Sequence, residues 1–112
     1  MTDRELLELA AKAAGLEFHW IRLDSGWLMQ ASEPGSRSEE SWNPLVNDGD
    51  ALRLAVRLAL TINIKHHETE VFTWEGECFS SEHVSVHPDH SYEATRRAIV
   101  EAAAEIGKTR SG

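Results

Sequence analysis

Apolar residues recur along the chain with two periods, and the switches between them mark out its elements. Leu6, Leu7, Ala10, Ala13 and Ala14 fall at helical spacing. Thr2-Asp3-Arg4-Glu5 ahead of them fits a capping box, and Gly15 fits a left-handed stop. The first helix is therefore predicted over residues 3–14. Glu17-Phe18-His19-Trp20-Ile21-Arg22 then alternates, with Phe18, Trp20 and Arg22 on one face and His19 and Ile21 on the other. Asp24-Ser25-Gly26 is turn chemistry, and Trp27-Leu28-Met29-Gln30 reads as the returning strand of a hairpin. Residues 31–40 are polar around Pro34-Gly35 and read as a long loop.

The next stretch holds the longest apolar run. Asn43 precedes Pro44 and is pushed to an extended backbone. Asn47-Asp48-Gly49-Asp50 offers side-chain oxygens to cap a helix and carboxylates to its positive end. From Ala51 to Leu60 only Arg53 and Arg57 interrupt the apolar sequence, and their spacing puts both on one stripe. A helix over 48–60 is predicted. It is expected to be buried on more than one side, with Leu52, Ala55, Val56, Leu58 and Ala59 largely covered and Trp42 pegging the loop over one end.

Beyond it, Thr61-Ile62-Asn63-Ile64-Lys65 alternates as a strand, and His66-His67-Glu68-Thr69 is polar and reads as a turn or strand end. Val71-Phe72-Thr73-Trp74 resumes β character, Cys78-Phe79 extends a strand, and Val84 and Val86 mark a short one that Pro88 ends. A third helix is predicted over 91–106. Tyr92, Thr95, Ala98, Ile99, Ala102, Ala103 and Ile106 line one face, and Arg96, Arg97, Glu101 and Glu105 the other. Gly107 is expected to stop it and residues 108–112 to fray. The order α-β-β-α-β-β-α, with room for one more short strand, predicts a single α/β domain over 1–112. Its expected form is a three-layer α/β/α sandwich with a mostly antiparallel sheet in the middle.

Two runs carry a resemblance. Trp42-Asn43-Pro44-Leu45, followed by Asp48-Gly49-Asp50-Ala51-Leu52-Arg53-Leu54-Ala55-Val56, resembles the signature of the phage ABA sandwich domain family. Residues 93–107 are similar to that family's closing helix. The resemblance implies the three-layer fold and a phage or prophage origin, and with it a place in the bacterial host cytoplasm. It brings no catalytic residues. Trp42, Asn43, Pro44, Asp48, Gly49 and Asp50 are the structural signature it points to.

Composition narrows the function classes. The formal net charge of −8 argues against nucleic-acid backbones and anionic membranes as partners. One cysteine, Cys78, allows no disulfide within the chain, so a reducing compartment is expected. No apolar run approaches the ~20 residues that span a membrane, and the acidic amphipathic start is unlike a signal peptide.

Candidate chemistry is sparse. Five of the six histidines lie between His66 and His90. His83, His87 and His90 form the best metal-like spacing; three imidazoles suit zinc with an open position for water. Against this, the segment breaks at Pro88 and lacks the helical His-Glu-x-x-His spacing. Asp48-Gly49-Asp50 lacks the later acidic ligand of a calcium loop, and capping accounts for its carboxylates. No phosphate-binding glycine loop, nucleophile elbow or Cys-His pair is present. His19 has no visible partner and reads as a strand residue. The expectation is a non-enzymatic phage accessory protein that needs no cofactor and binds another protein. The alternatives are a zinc-binding domain or enzyme built on the histidine cluster, and an acidic anti-defence protein imitating nucleic acid.

Overall fold

The computed structural model describes residues 2–64, 68–72, 78–83 and 88–110. The chain runs α1 (Asp3–Ala14), β1 (Glu17–Leu23), β2 (Gly26–Ser32), β3 (Glu40–Ser41), α2 (Asp48–Arg57), β4 (Thr61–Ile64), β5 (Glu68–Phe72), β6 (Cys78–His83) and α3 (Pro88–Arg110). Three helices and antiparallel strands are present as expected, but the order is α-β-β-β-α-β-β-β-α, with a third strand in each half. The strands form two antiparallel sheets, β1-β2-β3 and β4-β5-β6, so the described residues do not assemble one central sheet.

The helices explain the division. α1 buries two faces. Leu6, Ala10 and Ala14 join a core with Ala98, Ile99, Val100, Ala102, Ala103 and Ala104 of α3. Leu7 and Ala11 pack with Met29 of β2, beside Phe18 and Trp20. α3 also packs on β5, β6 and α2. The two helices thus lie face to face, one sheet against α1 and the other against α3.

Their contact is close because it is made of small residues. Gly107, expected to end the third helix, sits within it. A Cβ there would fall 2.8 Å from the carbonyl carbon of Leu9 and nearer still to its oxygen. The glycine is present for the approach of α1, and the helix continues to Arg110. At the other end α3 begins at Pro88, whose missing N–H costs nothing at a first helical position.

Both short helices close with the same hydrogen-bond pair. At α1, Gly15 is left-handed (φ 74°), its N–H meets Lys12 O, and Leu16 N–H meets Ala11 O. At α2, Ala59 takes the left-handed place at φ 54°, with Ala59 N–H on Val56 O and Leu60 N–H on Ala55 O. Alanine gives no stop signal in a sequence, so the expected end at residue 60 moves back to Arg57.

The expected burial of the second helix needs correction. Ala51, Leu54 and Ala55 are buried and Leu58 is half-buried, but Leu52 is 61% exposed, Val56 is 71% exposed, and Ala59 is exposed too. Leu52, Arg53, Val56 and Arg57 form one outward stripe. The helix buried on several sides is α3. Its alanines make it look less apolar, yet they are what let α1, α2 and a sheet crowd around it.

Two substitutions by small residues should therefore move stability in opposite directions. Gly107→Ala is expected to destabilise by about 1–3 kcal/mol through overpacking, despite alanine's better helix propensity. Ala59→Gly is expected to stabilise by roughly 0.5–1 kcal/mol by removing left-handed strain from a non-glycine residue. Denaturant midpoints on the two purified variants measure both.

Candidate binding cleft

The segment from Trp42 to Asp50 is a locked loop. Asn43 is extended before Pro44, which is fully buried. The Asn43 side-chain oxygen accepts from Leu45 N–H at 3.1 Å, closing a turn over Pro44. Asn47, and not Asp48, is the cap, accepting from Asp50 N–H at 2.9 Å. Asp50 is buried to 8% exposure and uses both oxygens: Oδ2 accepts from Asn43 N–H at 3.0 Å and Oδ1 from Arg53 Nη2 at 2.8 Å. Arg96 of α3 clasps the loop from beneath, donating Nε to Leu45 O at 2.8 Å and Nη1 to Asp48 Oδ1 at 2.6 Å. It is mostly buried, where the sequence suggested a solvated face. Trp42 donates its N–H to Met29 O and packs against both cores, the peg that was expected. Asp48 and Asp50 are thus accounted for by hydrogen bonds within the fold.

Beside this loop lies an open cleft of about 630 Å³. One wall is the outward stripe of α2, Leu52, Arg53, Val56 and Arg57. The other is the segment from Ser32 through β3, and Leu16 and Trp42 contribute at the base. Its size falls in the range of ligand and peptide sites. The far end is closed by Arg57 and Glu33, whose side chains meet through both carboxylate oxygens, Nη2 lying 2.9 Å from Oε2. This bond holds the Glu33 carboxyl below its ordinary range and pushes the Arg57 guanidinium up.

A second, smaller hollow of about 180 Å³ lies on the opposite side of Trp42, near Trp20 and Trp27. Arg4 fills part of this region, its guanidinium 4.9 Å from the Trp20 ring centroid and 4.6 Å from that of Trp27. It pins the start of α1 to the first sheet.

His19 is exposed on the outer face of β1, 3.4 Å from Glu39. His83 ends β6 and His90 lies in the first turn of α3, but their side chains and the whole of His87 lie outside the described residues. Among the described residues no three His, Cys, Asp or Glu side chains converge as a metal ion would require, and no helix is long and apolar enough to cross a membrane. The cleft itself was not foreseen. Its one sequence signal is the pair Leu52 and Val56 sharing a stripe with Arg53 and Arg57, a pattern more typical of an outer face than a buried one.

The Glu33–Arg57 bridge predicts a pH signature. A carboxylate with a lowered native pKa stabilises its contact above the ordinary glutamate range, and that contribution is lost as pH falls toward the native value. The Glu33 carboxyl should titrate below the ordinary glutamate range in an NMR titration, and Arg57→Ala should raise it back toward that range. No protein-family model matches the chain, and no curated protein or solved structure does.

Proposed function

We propose that this protein works by binding another protein and performs no chemistry itself, as an accessory factor of phage or prophage origin in a bacterial host cytoplasm. The observation that carries the reading is the stripe of α2 along the cleft. Leu52 and Val56 stand exposed at 61% and 71% on a helix that had inner positions for apolar residues. Two branched apolar side chains a turn apart, facing a cleft, form an exposed apolar patch that a partner could cover. The resemblance to the phage family fits this reading, because the polar residues that carry it lock the loop that forms one end of the cleft.

Charge points the same way. Arg53, Arg57, Arg96 and Arg97 are the arginines most able to form a basic patch, and each is paired. Arg53 meets Asp50, Arg57 meets Glu33, Arg96 meets Asp48, and Arg97 lies 3.3 Å from Asp3 and 3.2 Å from Glu101. With a net charge of −8 and these cations already matched, phosphate backbones are poor partners.

The test is affinity capture from infected or lysogenic bacteria with the wild-type chain and with Leu52→Asn/Val56→Asn as paired baits. Both side chains are exposed, so the double variant should melt within about 1 kcal/mol of wild type. A partner retained by wild type should fall at least about tenfold in yield with the variant, a loss of 1.4 kcal/mol or more. Equal capture by both would remove the cleft from the binding surface.

A further inference from the structure

The charges inside the cleft do not cancel. Asp50 is matched by Arg53, and Glu33 by Arg57. Glu40 is left over, with no cation against it among the described residues. Its position is unusual for a carboxylate. In the ladder Glu40 stands opposite Ala31, and Ala31 opposite Phe18. Residues directly opposite share a face. Glu40 therefore belongs to the side of the sheet that Met29 and Phe18 turn toward α1. It sits where α1 has already ended, and Ala14 and Leu16 line the cleft there. An acid thus occupies a helix-facing position, exposed in a cleft with Leu16, Trp42, Leu52 and Val56 around it.

We propose that the cleft takes a lysine or arginine side chain flanked by apolar residues from a basic partner protein, with Glu40 as its counter-ion. This rests on the protein-binding reading of the cleft and names the chemistry of the partner. The flanking apolar residues cover Leu52 and Val56, which a free amine would leave exposed. A second copy of this chain is a poor occupant, because two bodies of charge −8 repel. An acidic segment would set a further carboxylate beside Glu40. A basic one is steered in by the whole molecule's field and then finds one unmatched acid among apolar walls.

The test uses the whole chain and short fluorescein-labelled peptides alternating leucine with lysine, glutamate or serine, followed by anisotropy. The lysine peptide should bind tightest, and its affinity should fall as salt rises. Glu40→Gln should weaken it roughly tenfold. Glu17→Gln removes the same charge from the outer face of the same sheet, and it should leave affinity close to wild type. Leu52→Asn/Val56→Asn should weaken the lysine and serine peptides alike. Equal effects of Glu40→Gln and Glu17→Gln, or equal binding of the glutamate peptide, would overturn the role of Glu40 while leaving the cleft as a docking surface. Binding that ignores Leu52 and Val56, or no binding of the lysine peptide at all, would overturn both.

Discussion

The close packing of α1 on α3 is the contact on which the rest of the fold depends. It is made largely from alanine and one glycine, side chains that individually bury little area. What they contribute is approach: backbone nears backbone at Leu9 and Gly107, and dispersion contacts accumulate along both helices. A pair of helices this close has its remaining faces free to take a sheet each. That is why the strands divide into two groups of three. It is also why α3, with small residues around much of its circumference, becomes the centre in place of the more obviously apolar α2.

The cleft follows from that arrangement. α2 needs only one face to meet α3, through Ala51, Leu54 and Ala55. Its outer stripe is left beside the segment that joins β2 to the Trp42 loop. Asp50 fixes one end by tying α2 to Asn43, and Arg96 anchors the same loop to α3. At the other end the Glu33–Arg57 bridge joins two exposed side chains, and solvent screening leaves such pairs little weight in stability. One end of the cleft is therefore held by partly buried hydrogen bonds and the other by a bond that opens at little cost. A partner that displaced Glu33 would lose little stability from this protein.

Local signals were legible in the sequence, and tertiary ones were not. Thr2 caps α1 by accepting from Glu5 N–H at 3.2 Å, Gly15 ends the helix, and the hairpin turns at Asp24-Ser25. These depend on a few neighbouring residues whose backbone preferences are strong. The end of α2 was missed because alanine holds a place that glycine usually marks. Gly107 was misread because a glycine demanded by a crossing helix looks the same in sequence as one demanded by a left-handed cap. Leu52 and Val56 were placed inside because apolarity alone does not say which of two apolar faces finds a neighbour. The cleft was invisible for a related reason: Glu33 and Arg57 are 24 residues apart, and only the fold brings them together. In the loop before α2 the cap fell to Asn47, and Asp48 went to Arg96.

Pairing of the arginines shapes what the surface presents to others. Four of them are spent on acids within the fold, and each such pair removes a local cation without changing the total charge. The surplus of acids remains, so the field felt ~10 Å away, about a Debye length at 0.1 M salt, is negative. Within the cleft the balance differs: two matched pairs, one unmatched glutamate and several apolar side chains. Long-range attraction and close-range fit are therefore separate properties of this molecule. Under the proposed reading, the first would favour basic partners by encounter rate and weaken with salt; the second would discriminate among them by the apolar groups they set against Leu52 and Val56, and would be largely indifferent to salt.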